Sequence, residues 1–380
     1  MTLLVTGATG FAMSVLVRNW LDRDPSARAV VLDRAAPDAA ARRYFAPVAD
    51  RLTIVTADIT EPDHWRASID RHDIRHIVHG ATITPISRGS AAEAAREPET
   101  ERPAEIMEVN LMGTVRLLEW ARGRPGLGRF LYVSSGAVYR HHGPDTPGAP
   151  LPEDGYVAPK TLYGTSKLAS ELVVERYGTL FGLSTVSARL SSVYGTMDRP
   201  TASRDFRHLP NRIAHLALQR PGPIRANALD GIGDYIHAED AARGLIALLE
   251  SPRLRHPVYN VALGQAVSLG DMIGWAAEQV PGVSAATAPP EEADILQDSP
   301  SRGGMWGPYD ISRIVAETGW RPRPMRDAFQ GYMDWIAAEA VALAALTGSV
   351  PSGSDSAGQS AAVTSEVQVG RTRSNEETRR

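Results

Sequence analysis

Apolar and polar positions divide the first half of the chain into short and long segments that alternate. Runs rich in Val, Ile and Leu predict strands over 2–6, 29–33, 52–56, 76–79, 130–134 and 184–190. Between them, apolar residues recur every three or four positions over 11–22, 106–122 and 163–181, which predicts helices. Strands this apolar are buried on both faces, and helices of this length between them make βαβ units. The expected fold is therefore α/β, a doubly wound parallel sheet covered on both sides. Beyond about residue 199 the order loosens. A strand over 257–261 and helices over 239–249, 269–280 and 324–346 predict a smaller lobe, and no internal repeat is found. From Thr347 to Arg380 the chain turns to Ser, Gly, Thr, Glu and Arg without one aromatic residue, so a disordered tail is expected.

Composition then removes several classes of protein. There is no cysteine, which excludes disulfides, thiolate metal sites and a cysteine nucleophile together. The formal charge of −4, with its basic residues scattered, provides no basic face for nucleic acid and no polybasic patch for a membrane. No apolar stretch approaches the roughly 20 residues of a membrane helix. The strand pattern begins at Thr2, leaving no room for a signal peptide before it. A soluble, cytoplasmic protein is expected.

The first stretch with chemistry reads TGATGFAMS, residues 6 to 14, directly after the first apolar run. Gly7 and Gly10 stand where a strand turns into a helix, which suits the close approach of a pyrophosphate to backbone N–H groups at a helix start. The third glycine of such turns is replaced by Met13. By itself the turn is either a variant cofactor site or an ordinary bend. Asp33, closing the second strand, decides between them. It lies roughly 20 residues past the glycines, where a carboxylate binds an adenosine ribose. The pair predicts a dinucleotide site, and Asp33 favours NAD over NADP, with the adjacent Arg34 softening that preference.

A second group lies further on. Tyr163 and Lys167, four apart at the start of a predicted helix, share one face. A nearby ammonium and a positive nicotinamide ring would both lower a phenol's pKa from its usual value near 10. Upstream, Ser135 follows the strand run LYVS and is delivered at the carboxyl edge of the sheet, where doubly wound folds bind ligands. Such a Tyr–Lys pair is common on any amphipathic helix. Its place after a dinucleotide turn and a strand-end serine makes chemistry the better reading.

In chain order the motifs are TGATGF at 6–11, Asp58-Ile59, HGAT at 79–82, VNLMGT at 109–114 and VSSGAVY at 133–139. YGTSK at 163–167, RLSSVYG at 189–195, DYIHAEDAARG at 234–244 and DISRIVAETGWRP at 310–322 complete the set. Over residues 1–346 the chain resembles the extended short-chain dehydrogenase/reductase superfamily, the NAD-dependent epimerase/dehydratase family. The resemblance implies a Rossmann-type domain over 1–195 and a mainly substrate-binding lobe over 196–346 that returns some segments to the first domain. It implies NAD as cofactor and a catalytic Ser135, Tyr163 and Lys167, with the last two also touching NAD. Further cofactor contacts are implied at Gly7, Thr9, Gly10, Phe11, Ala12, Asp33, Arg34, Asp58 and Ile59, and at Gly80, Ala81, Thr82, Asn110, Leu190, Ser192 and Val193. Asn110 has a helix-packing role as its alternative. Thr84, Ser135, Gly136, Ser192 and Arg199 are the implied substrate contacts.

Departures from the family pattern bear on the reaction. Sugar-nucleotide dehydratases, which this chain resembles, carry Asp-Glu after the catalytic hydroxyl residue, whereas Gly136 and Ala137 stand here, so elimination is not expected. Gly233 replaces an arginine and Ser192 an asparagine that grip a diphosphate in nucleotide-sugar epimerases. Arg199, Arg204, Arg207 and Arg212 remain for an anionic substrate, or are ordinary surface. The expected activity is hydride transfer between NAD and a secondary alcohol or ketone of a sugar-like or sugar-acid molecule. An epimerase with transient oxidation is the alternative within the family, and a non-catalytic NAD(H) sensor the alternative outside it. The resemblance implies a homodimer; from composition, no nucleic acid or membrane partner is expected, and no metal site is expected either.

Overall fold

The chain is described by a computed structural model over residues 1–85, 98–139, 149–199, 208–296 and 308–347. The expected tail past residue 347, Arg204 and Arg207 lie outside the described residues. Six strands come first: β1 (Thr2–Thr6), β2 (Arg28–Asp33), β3 (Leu52–Thr56), β4 (Ile74–His79), β5 (Arg129–Ser135) and β6 (Thr185–Leu190). A later strand, Val258–Val261, returns to pair with β6. Together they form one seven-stranded sheet in the order Val258–Val261, β6, β5, β4, β1, β2, β3, and every pairing within it is parallel.

Alternation along β1 shows how the sequence builds both faces. Leu3 and Val5 enter a core with Val15, Leu16, Trp20 and Leu245, while Leu4 enters another with Ile77, Trp65, Leu117 and Leu118. A strand with a period of two and apolar residues at every position must be covered twice. Strand order reverses at β1, with β2 and β3 on one side and β4, β5 and β6 on the other. Outside the carboxyl ends of β1 and β4 this topology opens a crevice, the place where such sheets take ligands.

The helix predicted over 106–122 is interrupted. It runs as Pro103–Met107, a π-helical turn Glu108–Met112, then Gly113–Ala121. The carbonyl of Asn110 accepts from Thr114 Oγ1 at 2.7 Å and Ser170 Oγ at 3.1 Å, so side-chain hydroxyls enter the helical ladder at that turn. Residues from 194 to 336 supply a second buried cluster that includes Tyr194, Ile213, Ile224, Met272, Phe329 and Tyr332. These elements belong to one unit, Met1–Ala337. Among the described residues no helix is long and apolar enough to cross a membrane.

Candidate active site

A cleft of about 660 Å³ follows the carboxyl ends of β1, β2, β4 and β5. Its wall includes Gly7, Thr9, Gly10, Phe11 and Ala12 from the first turn and Asp33, Arg34, Asp58 and Ile59 from the next strands. Gly80, Ala81, Thr82 and Thr84 follow β4, and Ser135, Gly136, Tyr163, Lys167, Leu190, Ser192 and Val193 close the far end. Of the described residues singled out from sequence for cofactor, substrate or chemistry, all but Asn110, Arg199 and Arg212 meet there.

The two glycines are needed for different reasons. Gly7 sits at φ 75°, and a Cβ there would come within 2.8 Å of the Ala81 α-carbon. A Cβ at Gly10 would meet nothing nearer than the Gly7 carbonyl oxygen at 3.5 Å, so the protein itself leaves that space empty. The helix Ala12–Asp22 begins there with no side-chain cap and no acidic residue in its first turn. Its positive end is left for an anion. A dinucleotide pyrophosphate fits this cradle, and the Asp33 carboxylate lines the same cleft. Asp33 is oriented by the N–H groups of Thr9 (2.9 Å) and Ala35 (3.1 Å). Arg34 turns to Glu105 at 3.2 Å, which draws its charge toward a partner carboxylate. Asp58 accepts from the N–H and hydroxyl of Thr60.

Met13 is accommodated by a glycine on another strand. It is buried, and a Cβ built on Gly80 would stand 2.6 Å from Met13 Cγ and 2.7 Å from Sδ. The room that a third glycine would give to helix–strand packing is supplied instead by the missing side chain at position 80. Gly80→Ala is therefore expected to cost about 1–3 kcal/mol by overpacking. In a Met13→Ala background the same change should cost clearly less, with only the Thr6 carbonyl oxygen at 3.2 Å still crowding the new Cβ, a coupling read from urea midpoints of the four proteins. Additive effects would show that the two residues do not share the space.

At the other end, Ser135 closes β5 and its Oγ accepts the Ala137 N–H at 3.2 Å. The helix Leu162–Phe181 is started by Thr161, whose Oγ1 accepts the Gly164 N–H at 3.1 Å. Glu99 accepts the Leu162 N–H at 2.8 Å, a second cap brought from a distant segment. Tyr163 is thus fixed on the first turn, half-buried and facing Ser135. Lys167, one turn on and 2 % exposed, donates to the Val133 carbonyl at 2.8 Å. Its Nζ stands 5.0 Å from the Tyr132 ring centre and 5.6 Å from that of Tyr163. Burial pulls the Lys167 ammonium down to about 7, partly opposed by Glu171. The phenol was expected below its usual range. In the protein alone burial raises it instead, and the hydrogen bond from Ser135 only partly offsets that. The phenol is therefore held as the proton-carrying form.

Beneath these groups lies a buried ion pair that the sequence reading missed. Glu171 takes Arg189 Nη2 at 2.7 Å and the Ser134 hydroxyl at 2.5 Å, tying β5, β6 and the Tyr163 helix together. Removing one partner would strand a buried charge, so the pair fixes the geometry of the strand end more than it adds to net stability. His79, on β4, joins β1 to the helix Gly113–Ala121. Its Nδ1 lies 2.7 Å from Thr6 Oγ1 and its Nε2 3.0 Å from Thr114 Oγ1. The Thr114 hydroxyl already donates to Asn110, so Nε2 carries the proton and Nδ1 accepts from Thr6. Burial draws His79 down to about 3, which keeps it neutral.

Two expected contacts are corrected. Asn110 does not face the cleft: it is 1 % exposed and its amide is occupied by the Ile83 N–H (2.7 Å), the Ile83 carbonyl (3.1 Å) and Ser166 Oγ (3.1 Å). It fastens the β4 end to the Tyr163 helix. Arg199 does not reach into the substrate end. Its guanidinium clasps Asp38 at 2.8 and 3.0 Å and the Thr9 carbonyl at 3.3 Å, beside the glycine turn. Met197, at φ 68°, supplies the bend that brings it there. Arg212 donates to the Asp294 carbonyl at 3.2 Å.

The fold and cleft define a class: a doubly wound dinucleotide-binding enzyme with a serine, a tyrosine and a lysine gathered at the far end of the crevice. The model of the NAD dependent epimerase/dehydratase family matches residues 3–262, and the chain belongs to that family. It is an NAD-dependent enzyme of the extended short-chain dehydrogenase/reductase type, with NAD as its cofactor. A dTDP-glucose 4,6-dehydratase of an Actinoplanes species is 28 % identical over 335 residues, covering 85 % of this chain and 93 % of that protein. A UDP-glucose 4-epimerase of Erwinia amylovora is 28 % identical over 337 residues, covering 84 % and 93 %. Among solved structures, the UDP-glucose 4-epimerase of Thermotoga maritima with UDP-glucose has a TM-score of 0.70 at 18 % identity, covering 90 % of this chain and 100 % of that one. A UDP-glucuronic acid 4-epimerase of Bacillus cereus with NAD has a TM-score of 0.67 at 22 % identity, covering 89 % and 99 %. At those identities the structural likeness speaks for the fold.

Proposed function

We propose that the protein transfers hydride between NAD and a secondary alcohol or ketone of a polyhydroxylated, sugar-like molecule. The observation that carries this reading is the convergence of Ser135, Tyr163 and Lys167 at one end of the cleft whose other end is the glycine turn. NAD, when bound, supplies the hydride acceptor or donor. The remaining work falls to side chains. The Ser135 hydroxyl holds the reacting oxygen of the substrate, and the Tyr163 phenol exchanges a proton with it. Lys167, beneath the Tyr163 ring, fixes the phenol by its charge and meets the nicotinamide ribose. Asp33 holds the adenosine ribose.

Water loss is disfavoured because Gly136 and Ala137 place no carboxylate beside Ser135. Of the arginines considered for an anionic substrate, Arg199 is engaged at Asp38 and Arg212 at the Asp294 carbonyl, so neither of these two is offered to the reacting end. Epimerisation remains the second reading, favoured by the epimerases among the similar proteins. Incubation with NAD and UDP-glucose, UDP-glucuronic acid or glucose separates the two. Release of free reduced cofactor supports the dehydrogenase, a stereoisomer without it the epimerase, and the absence of both products overturns both readings for these three substrates.

The site also predicts cofactor choice. NAD should bind more tightly than NADP, and Asp33→Ala should narrow that ratio, measured as two dissociation constants. Equal affinities in the unaltered protein would remove Asp33 from the role and assign it to Arg34. For assembly we propose a cytoplasmic homodimer joined through the helices around Gly113–Ala121 and Leu162–Phe181. Leu172, Leu180 and Phe181 on the second helix are 61 %, 53 % and 45 % exposed, and Met112, next to the first, is 39 % exposed, an apolar face that a second copy would cover. Sedimentation should give a dimer for the full chain and a monomer for Leu172→Lys/Phe181→Lys. A monomer in the unaltered protein would end this proposal.

A further inference from the structure

At the substrate end of the cleft stands a residue that no motif marked. Tyr309 lines the same wall as Ser135 and Tyr163 and is 3 % exposed. It is held from several sides. Its N–H donates to Asp234 Oδ2 at 3.2 Å, and its ring meets Tyr139 edge-on at 5.7 Å between centres. On either side of it the backbone pairs with Leu151, through the Leu151 N–H to the Pro308 carbonyl (2.8 Å) and the Asp310 N–H to the Leu151 carbonyl (3.0 Å). The phenol therefore points in one direction.

That direction is Gly136. A Cβ built at position 136 would overlap the Tyr309 hydroxyl and ring, with Cζ at 2.5 Å and Cε1 at 2.7 Å. Gly136 is not among the glycines with positive φ, so its backbone would accept another residue. The need for glycine comes from Tyr309. The volume next to Ser135 is filled by a phenol from a distant segment rather than by a side chain of the strand end.

We propose that Tyr309 is a substrate-contacting residue that sets specificity: its hydroxyl bonds the sugar hydroxyl neighbouring the carbon that exchanges hydride. Its location assigns it to substrate rather than cofactor. The glycine turn and Asp33 lie at the ends of β1 and β2, while Tyr309 approaches from the opposite edge of the sheet. There Asn260, in the strand Val258–Val261, donates to the carbonyls of Leu151 and Asp310 at 2.9 Å each. A phenol both donates and accepts, which matches a hydroxyl better than a carboxylate, an acceptor only. A site built to bond a hydroxyl also rejects the analogue that lacks it.

The inference rests on the sugar-like substrate proposed above, and one experiment separates their failures. The NAD-loaded protein is titrated calorimetrically with UDP-glucose, UDP-glucuronic acid and glucose, alongside Tyr309→Phe, Gly136→Ala, Tyr309→Ala and Tyr309→Ala/Gly136→Ala. NAD affinity is measured for each. Tyr309→Phe is expected to weaken the bound sugar about tenfold, the scale of one lost hydrogen bond, with NAD affinity unchanged. Gly136→Ala should weaken it in the unaltered background and add nothing in the Tyr309→Ala background. Sugar affinity unchanged in Tyr309→Phe overturns the inference alone, and so does a parallel loss of NAD and sugar. No binding of any of the three by the unaltered protein overturns the substrate reading, and this inference with it.

Discussion

Replacing Tyr163 by phenylalanine should lower turnover at least about a hundredfold, the usual scale for a positioned acid–base group. NAD affinity should stay within a few-fold of the unaltered protein. The ring is kept, so the packing above Lys167, with Nζ 5.6 Å from the ring centre, survives. Only the exchangeable proton is lost. Burial holds that proton on the phenol, so the unaltered side chain is the donor when a ketone is reduced. Reduced-cofactor absorbance and calorimetry on the same preparations give both quantities. Turnover near the unaltered rate would show that the proton goes elsewhere, and a joint loss of NAD affinity would show that the ring was structural.

Gly10→Val is expected to abolish measurable NAD binding in a protein that still folds. The two halves of that statement come from one geometry. With no protein atom closer than 3.5 Å to the position of a Cβ, the branched side chain finds room in the empty cleft. It then fills the cradle at the uncapped start of the helix Ala12–Asp22, where the phosphates must approach the backbone. A melting temperature near that of the unaltered protein together with lost affinity is the expected pair. Retained NAD affinity would mean that the phosphates lie away from this turn. A substitution at Gly7 tests less, because its φ of 75° strains any other residue before a ligand is considered.

Much of the sheet was legible because buried parallel strands are apolar at every position. Strand β1 has the bounds expected, β3 has them too although it is a largely exposed edge strand rather than a buried one, and β4 begins two residues early because Ile74 is followed by the exposed Arg75, which broke the run. The helices Ala39–Phe45, Leu209–Gln219 and Ser312–Thr318 were not foreseen. Two of them are short, and the third begins with a proline at its start that reads as a loop. Small ribbons such as Ile232–Gly233 with Val267–Ser268 are too brief for any period to show.

In the site, legibility followed distance along the chain. The glycine turn, Tyr163 with Lys167, and the strand-end Ser135 are local patterns and were readable. Glu99, Tyr309 and the Glu171–Arg189 pair act across long separations, so their partners could not be read. A signal existed for the last of these. Arg189 interrupts an apolar strand, and Glu171 lies one turn past Lys167 on a buried face; charges in such places are seldom buried without each other. Asn110 and Arg199 were placed by resemblance, and their own hydrogen bonds put them elsewhere.

Met13 and Gly80 are far apart in the chain yet occupy one volume. They form a linked pair in which position 80 cannot gain a side chain while methionine stands at 13. A lineage holding methionine at 13 is barred from alanine at 80, and one that recovers glycine at 13 is released from that bar. Methionine at 13 therefore depends on glycine at 80, whereas glycine at 80 does not depend on methionine at 13. The usual fingerprint has thus moved part of its glycine requirement from the helix start to the end of a neighbouring strand, where a pattern read along the first turn alone does not look for it.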